Sequence, residues 1–418
     1  MSDNIEPLRL CVLGDLASIH TRRWMQPFAE RGHEVHAVSY YRPKIVPEGV
    51  HLHILDDRAR PDEAVSSRMP FRTASALPPN LLRITNALRY RRRGLAHVIR
   101  EINPEVLHAH YLVEYGFFAA TAGFHPLVVS AWGSDVLVAA PASPLARLVA
   151  RYTLRRADLV TSNNEHMTAR LRAMGVPPER LATIVFGADA FFLERSDDSV
   201  NLHPPDAGHP PTVISTRSLD SPLYNVDLIL RAMALLRARL PEAQLLVAGV
   251  GRLRPKLESL ARELGLGENV RFLGWLDDDA LRDAFARSHV YVSVPDSDAT
   301  SVATLSAMAA GCFPVLSDLP AQHEWIENGV NACRPACLPV GMVGMGFLVP
   351  LGDANALAQR LGDALENAAL RRAAAERNRS IVEQRGLWQK NALVMEDWYR
   401  RLAAPRKETK GNAPLLSR

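Results

Sequence analysis

Residues 296–318, DSDATSVATLSAMAAGCFPVLSD, decide how this chain folds. They follow the apolar run 289–294 and end in a second apolar run, 313–316. Two short apolar runs separated by a segment of helical length predict a strand–loop–helix–strand unit in a parallel sheet. We expect the helix to begin at Thr300 or Ser301. Its N-terminus carries roughly half a positive charge, which favours a phosphate or diphosphate at that point.

The same alternation of apolar runs and amphipathic stretches fills both halves of the 418-residue chain. It predicts an α/β fold built on parallel sheets. In the first half we predict strands at 8–13, 35–39, 106–110, 127–130 and 159–161, and helices at 21–31 and 165–174. In the second half we predict strands at 212–216, 244–248, 270–273 and 290–294, and helices at 226–239, 254–264 and 280–287.

A proline-rich stretch, NLHPPDAGHPP at residues 201–211, separates the two halves. It has neither strand nor helix periodicity, so it predicts a linker between an N-terminal domain, 1–200, and a C-terminal domain, 212–387. Two doubly wound units in succession place a cleft at their junction, and ligands of such sheets bind at the carboxyl ends of the strands. Residues 406–418 are expected to form a disordered tail.

Net charge, apolar content and cysteine positions limit the classes of protein to which this chain can belong. The net charge of +4 is too small to indicate nucleic-acid binding, and 47% hydrophobic with 22% charged residues is typical of globular proteins. No apolar run is long enough to span a membrane, and residues 1–7 lack the apolar core of a signal peptide. Cys11 and Cys312 lie in apolar runs, while Cys333 and Cys337 have no second pair nearby that would indicate zinc. We therefore expect a cytoplasmic protein.

Five motifs occur in order along the chain: HTRRW with RGHEVH (20–24 and 31–36), HAHY (108–111), WGSD (132–135), SDATS (297–301) and SDLPAQHEWIENG (317–329). Together they resemble the family-4 retaining glycosyltransferases of GT-B architecture, in particular the bacterial group that builds surface polysaccharides. The resemblance extends over residues 8–402. It implies two Rossmann-like doubly wound domains facing a cleft, with a last helix, 388–402, that packs back on the N-terminal domain.

The resemblance also implies roles for residues of the C-terminal domain. Arg217 would pair with the diphosphate of a nucleotide sugar, since a guanidinium can bind phosphate oxygens in bidentate fashion. Tyr224 and Asn225 stand where the family usually has a lysine, which leaves Arg252 as a candidate second cation. Asp298 occupies the first position of the family's pair of glutamates, where it would hold sugar hydroxyls; a helix N-cap is the alternative.

Ser306 stands at the second glutamate position, which in the family accepts hydrogen bonds from the ribose. Because serine is shorter and uncharged, losing a bond to a charged acceptor would weaken binding by about 1.5–3 kcal/mol. Thr300 and Ser301 could donate to the diphosphate, cap the helix, or do both. Gly249 and Gly274 resemble backbone positions near the nucleotide, although tight turns require glycine as well.

Acceptor-side candidates come from the N-terminal domain. They are Asp15, His20, Arg22, His110, Trp132, Gly133 and Asp135. Helix capping and surface exposure are the alternatives for the first three. For His108 and His110, three roles remain open: metal binding, packing or hydrogen bonding, and acceptor contact. The resemblance implies that neither a metal nor a cofactor takes part in the chemistry and that the nucleotide sugar is a co-substrate.

The sequence thus predicts a retaining hexosyltransferase. It would move a hexose or N-acetylhexosamine from a nucleotide diphosphate sugar to a polysaccharide or lipid-linked glycan. Ser306, the missing lysine and an apolar insertion at 332–345 favour an alternative, a catalytically weakened protein that binds glycan or partners an active transferase. A nucleotide-sugar epimerase is a third, less favoured hypothesis. The basic stretch 83–100, interleaved with leucines, is typical of a helix on the inner membrane surface or of a solvated helix face.

Overall fold

The structure is a computed structural model that describes residues 6–40, 42–55, 94–194, 209–328 and 344–404. Most of the predicted linker, all of the tail 406–418, most of the basic stretch and most of the insertion lie outside these residues. The described residues form two sheets of seven parallel strands each. The α/β prediction with two doubly wound sheets is therefore confirmed.

The first sheet carries the N-terminal domain. Its strands are β1 (Arg9–Leu13), β2 (Glu34–Ser39), β3 (Val50–Ile54), β4 (Val106–His110), β5 (Leu127–Ser130), β6 (Leu159–Ser162) and β7 (Leu181–Thr183). They lie in the order β3-β2-β1-β4-β5-β6-β7. The helices are α1 (Ile19–Glu30), α2 (Leu95–Ile102), α3 (Tyr115–Ala122), α4 (Pro144–Arg156) and α5 (Glu165–Ala173). Because helices cover both faces, the central strands are buried along nearly their whole length rather than at alternate residues.

The second sheet carries the C-terminal domain. Its strands are β8 (Thr212–Ser215), β9 (Gln244–Ala248), β10 (Val270–Gly274), β11 (Val290–Ser293), β12 (Phe313–Ser317), β13 (Ile326–Asn328) and β14 (Gly344–Val349). They lie in the order β10-β9-β8-β11-β12-β14-β13. The helices are α6 (Val226–Leu236), α7 (Arg254–Glu263), α8 (Asp278–Ala286), α9 (Val302–Ala309), α10 (Ala354–Glu366) and α11 (Ala368–Arg385).

Each sheet has a point where the direction of strand addition reverses. In the first sheet β1 pairs with β2 on one side and β4 on the other, and in the second sheet β8 pairs with β9 and β11. A crevice forms at the carboxyl ends of strands flanking such a switch point. Loops that are distant in sequence, such as those after β8 and β11, therefore meet there.

The chain crosses between the domains twice at one place. The Ala188 N–H donates to the Gly386 carbonyl at 2.7 Å, and the Trp388 N–H donates to the Ala188 carbonyl at 2.9 Å. A Cβ on Gly187 would lie 2.3 Å from the Trp388 nitrogen, so the segment at 187–188 can approach the segment at 386–388 only because residue 187 is glycine. The last helix, α12 (Trp388–Ala403), then packs its buried side chains against the first sheet.

The structure differs from the sequence predictions mainly at edges and in the last third of the chain. Edge strands β3, β7 and β13, the inner strand β14, and helices α3, α4, α10 and α11 were not predicted. Helix α1 begins at Ile19, two residues earlier than predicted, and α6 ends at Leu236 rather than at 239. In the part of the chain that is described, no helix combines the length and apolar character needed to cross a bilayer.

Candidate active site

A cleft of about 500 Å³ separates the carboxyl ends of the two sheets. Its N-terminal wall includes His20, Arg23, Trp132, Ser134, Asn163 and Phe186. Its C-terminal wall includes Thr216, Arg217, Asp220, Tyr224, Gly249, Gly274, Trp275, Asp278, Asp298, Thr300, Ser301 and Ser306. The cleft thus brings together most of the predicted donor-side residues and faces them with two of the acceptor-side candidates.

Arg217 and Asp298 bind each other. The Arg217 Nη2 donates to Asp298 Oδ2, and its Nε donates to Ser293 Oγ at 2.6 Å. Asp298 Oδ1 also accepts from the Ala299 N–H at 3.0 Å. Burial alone would lower the pKa of Arg217, but the Asp298 carboxylate, together with Tyr291 and Tyr224, raises it on balance. Arg217 is therefore a permanent buried cation that is 9% exposed at the floor of the cleft.

The loop that carries Arg217 lies directly against the turn after β9. A Cβ on Gly249 would sit 2.3 Å from the Arg217 carbonyl oxygen, and one on Gly251 would sit 2.1 Å from the Leu219 carbonyl carbon. Only glycine permits this approach of two backbones. The two glycines therefore fix the position of Arg217, and Gly249 itself lines the cleft.

Helix α9 points its N-terminus into the cleft. Ser301 is its N-cap and accepts from the Thr304 N–H at 3.3 Å, while Thr300 Oγ1 accepts from Trp325 Nε1 at 3.0 Å. Both hydroxyls thus have structural partners, yet both residues also line the cleft. Ser306, one turn further along α9, is 2% exposed and lines the same wall.

Three other donor-side candidates differ in position. The Tyr224 ring lies 5.3 Å from the Arg217 guanidinium carbon and lines the cleft. Asn225 has φ +50° and donates to the Val294 carbonyl at 3.0 Å and to Asp296 Oδ1 at 2.6 Å, so it ties two loops together outside the lining. Arg252 is exposed, outside the lining, and donates through Nε to the Asp220 carbonyl at 3.2 Å.

His20 and Trp132 form the N-terminal wall opposite Arg217. Their ring centroids lie 5.9 Å apart in an edge-on arrangement, and Phe186 contacts both rings. Burial, reinforced by the positive charges of Arg23 and Arg217, lowers the pKa of His20 to about 4. His20 is therefore neutral at physiological pH, and the part of this wall formed by His20, Trp132 and Phe186 is an uncharged aromatic surface.

The other acceptor-side candidates lie outside the lining. Asp135 is fully buried and accepts backbone N–H groups from Leu112, Trp132, Gly133 and Val136 at 2.8–3.2 Å, so it shapes the loop that presents Trp132. Gly133 has φ +109°, and a Cβ there would meet Ala299 of the other domain at 2.9 Å. Asp15 Oδ1 accepts from the Ala17 N–H, and Arg22 Nη1 donates to the carbonyls of Leu16 and Ala17.

His108 and His110 share one face of β4 and are both buried. Burial lowers the pKa of His110 to about 3 and lowers the pKa of His108 well below its usual value. His108 bonds to Tyr399 and Ser130, which matches the hydrogen-bonding alternative for this residue. Among the described residues, no three His, Cys, Asp or Glu side chains are grouped so that they could hold a metal ion.

Several cleft residues were missed by sequence reasoning. Arg23 ion-pairs with Asp278 across the cleft, Asn163 Nδ2 donates to the Thr300 carbonyl at 3.2 Å, and Trp275 is 63% exposed in the lining. Arg23 lies inside the quoted motif HTRRW, and Trp275 directly follows the predicted site residue Gly274, so both had a usable signal in the sequence. Asn163 follows β6 in a segment without any motif and had no such signal.

Comparisons with known proteins agree with this architecture. The family model for glycosyl transferases group 1 matches residues 205–381, and that for glycosyl transferase 4-like proteins matches residues 9–164. The two matches correspond to the two sheets and cover most of the chain. The chain belongs to the family-4 glycosyltransferases of GT-B architecture.

Relatives in this glycosyltransferase family include a mannosyltransferase, a D-inositol 3-phosphate glycosyltransferase and a putative colanic acid biosynthesis glycosyltransferase. Phosphatidyl-myo-inositol mannosyltransferase of Mycobacterium leprae is 32% identical over 192 residues, 44% of this chain and 46% of the relative. D-inositol 3-phosphate glycosyltransferase 2 of Catenulispora acidiphila is 29% identical over 288 residues, 63% and 65% of the two chains. The putative colanic acid biosynthesis glycosyltransferase WcaL of Salmonella typhimurium is 28% identical over 218 residues, 50% and 48%. The chain thus spans about half to two thirds of the length of these relatives.

Solved GT-B structures share the whole fold. Anabaena HepE, crystallised with UDP-glucose, superposes with a TM-score of 0.69 at 16% identity, over 94% of this chain and 100% of the other. Sucrose-phosphate synthase from Thermosynechococcus elongatus gives a TM-score of 0.70 at 20% identity, over 94% and 99% of the two chains. At these identities the likeness establishes the GT-B fold.

Proposed function

We propose that this protein transfers a hexose or N-acetylhexosamine from a nucleotide diphosphate sugar to a surface-glycan or lipid-linked acceptor. The observation that carries the proposal is the meeting of Arg217 and the N-terminus of α9 in the interdomain cleft. A buried guanidinium and a helix N-terminus together favour a diphosphate. The names of the relatives support a surface-glycan acceptor, and the complex of Anabaena HepE with UDP-glucose supports a nucleotide sugar as donor.

Arg217 can bind phosphate without breaking its ion pair with Asp298. A guanidinium has five N–H groups, and the described bonds to Ser293 and Asp298 engage its Nε and Nη2. The remaining N–H groups are available to phosphate oxygens on the cleft side. Asp298 thus acts first as the partner that orients Arg217, while its position in the lining also lets it accept sugar hydroxyls.

Retention of configuration is supported by what lines the N-terminal wall. Inversion needs a base on the far side of the sugar, and the described lining residues of that wall include no carboxylate. His20, with its pKa lowered to about 4, is a weak base. In the proposed front-face displacement the acceptor oxygen forms the new bond on the face that the diphosphate leaves. The departing phosphate oxygen takes the acceptor proton, so neither a protein base nor a metal is called for.

A second candidate function is glycan binding without efficient transfer. Ser306 favours it, because this residue lines the cleft where the family's second glutamate would accept from the ribose. The lysine that usually follows Arg217 is also absent, and Arg252 lies outside the lining. Either difference would weaken donor binding without altering the fold.

The test is product analysis with purified protein. UDP-, GDP- and ADP-linked hexoses and N-acetylhexosamines are incubated with lipid-linked glycan acceptors, and nucleotide release and product mass are recorded. We expect one donor to release nucleotide, with an α-linked product from an α-linked donor by anomeric NMR. Donor binding without any release would favour the binding-only alternative, and a β-linked product would overturn retention.

A further inference from the structure

We propose that Glu324 is a positioning residue that holds the two domains in the relative position needed for transfer. The Glu324 clamp consists of its carboxylate and the backbone N–H groups of Glu165 and His166, at 2.9 and 2.8 Å. Glu324 belongs to the C-terminal domain, whereas the two N–H groups begin helix α5 of the N-terminal domain. The inference rests on the proposed function and assigns one residue a role in it.

The clamp satisfies groups that a helix leaves unpaired. The first N–H groups of any helix have no partner within the helix, and its N-terminus attracts negative charge. In α5 the Asn164 side chain caps the Met167 N–H at 2.7 Å, and Glu324 takes the two N–H groups that precede it. Separating the domains would therefore expose these two N–H groups and the carboxylate together.

A short chain of contacts joins the clamp to the cleft. Trp325, next to Glu324, donates its indole N–H to Thr300 Oγ1 at 3.0 Å, and the Thr300 carbonyl accepts from Asn163 at 3.2 Å. Thr300 and Asn163 both line the cleft. The loop that precedes α5 thus contacts the C-terminal domain at two points, one at the clamp and one beside the N-terminus of α9.

Arg385 contacts the segment that carries the Glu324 clamp. Its guanidinium carbon lies 4.3 Å from the Trp325 ring centroid, and its Nη2 donates to the Glu324 carbonyl. Arg385 ends helix α11, just before the chain crosses back at Gly386. The clamp is therefore fixed to the same segment that carries the second domain crossing.

Two variants and a matched control test the role. Glu324→Ala removes both acceptors, and Glu324→Gln keeps one acceptor oxygen. Glu327→Gln is the control, because Glu327 lies three residues away and pairs with Arg377 within the C-terminal domain at 2.9 Å. The readouts are hydrogen exchange at the amides of residues 165 and 166, UDP and GDP affinity by calorimetry, and transfer kinetics.

We expect Glu324→Ala to accelerate exchange at both amides and to lower kcat, each by about tenfold or more, with Glu324→Gln intermediate. UDP or GDP affinity should stay within about twofold, because those ligands would bind the C-terminal wall alone. Unchanged exchange, or kcat equal to that of the control, would overturn the proposal. A parallel loss of affinity would also overturn it, since the residue would then support the donor wall.

The exchange measurement separates this inference from the proposed function. If the wild-type protein transfers no sugar, the proposed function fails, and protection of the two amides still reports on the clamp. If the wild-type protein transfers sugar and Glu324→Ala transfers equally well, the clamp fails alone.

Discussion

Arg217 and Asp298 lie 81 positions apart in the sequence and form an ion pair in the cleft. Their loops follow β8 and β11, which are neighbours at the switch point of the second sheet. Removing one member of a buried pair leaves an uncompensated charge, which costs more than the pair contributes. The pair therefore has to be tested with substitutions that keep the charge as well as with truncations.

Arg217→Lys is expected to lower transfer strongly while the protein stays folded. Lysine keeps the positive charge but cannot bind Ser293, Asp298 and a phosphate at once with a planar fork. We predict a loss of about 100-fold in kcat/KM, equal to about 2.7 kcal/mol of transition-state stabilisation. Steady-state kinetics measure it, with Arg239→Ala, whose exposed side chain pairs with Glu366, as the control. Activity within threefold of wild type would remove Arg217 from the diphosphate site.

Ser306→Glu is expected to tighten binding of a nucleoside diphosphate. A carboxylate at this cleft position could accept from the ribose hydroxyls, and a bond to a charged acceptor contributes about 1.5–3 kcal/mol, or one to two decades of affinity. Calorimetry with UDP and GDP measures the change. Ser306→Gln controls for size, because it adds the same length without the charge. Equal affinities for the Glu and Gln variants would show that a charged acceptor at this position adds nothing to nucleotide binding.

Helix α12 is tied to the first sheet by a polar chain rather than by apolar contacts alone. Trp24 Nε1 donates to the Tyr399 hydroxyl at 3.0 Å, and that hydroxyl can donate its own proton to His108 Nδ1. His108 then donates from Nε2 to Ser130 Oγ at 2.7 Å. One tautomer of a neutral histidine is fixed in this way, and the chain runs from α12 across α1 to β4 and β5.

Tyr399→Phe is expected to lower the free energy of unfolding without a change in the fold. It leaves the buried Trp24 N–H and His108 Nδ1 without their shared partner, at a cost of about 1–3 kcal/mol. Urea unfolding measures the loss. Tyr152→Phe is the matched control, since that ring is 39% exposed on α4. A free energy of unfolding equal to that of the wild type would mean that the hydrogen bonds linking Trp24, Tyr399 and His108 contribute no net stability.

Motif order and apolar periodicity predicted the central strands and the helices next to the cleft. Strands β4, β5 and β9 have the predicted bounds, because each is a short apolar run buried on both faces. Edge strand β3, VHLHI, was missed because its histidines alternate with apolar residues and it is only half-buried. The pairing of Arg217 with Asp298, and the clamp at Glu324, depend on loop conformations that local pattern does not encode.

At the scale of the whole molecule, three of the described histidines whose pKa is lowered by burial couple stability to pH. Burial lowers the pKa of His20 to about 4 and of His110 to about 3, and lowers that of His108 as well. Their usual pKa in an unfolded chain is about 6.5, so the unfolded state binds more protons below that pH. The stability they contribute is therefore present above about pH 6.5 and is lost as pH falls towards about 4.

We accordingly expect the free energy of unfolding to fall between pH 7 and pH 5. The slope should approach 1.4 kcal/mol per pH unit for each proton taken up, roughly the value for one fully titrating group. Urea unfolding at several pH values measures it. His110→Gln should reduce the slope by about one proton. A flat profile would contradict the neutral buried state of these residues.

The central claim is that the interdomain cleft binds the diphosphate of a nucleotide sugar. Calorimetric titration of the wild-type protein and Arg217→Ala with UDP, GDP and ADP tests it most directly. The predicted result is a dissociation constant in about the micromolar range for one nucleotide, weakened by about tenfold or more in the variant. Absence of binding for all three nucleotides, or equal affinity in the variant, would contradict the account.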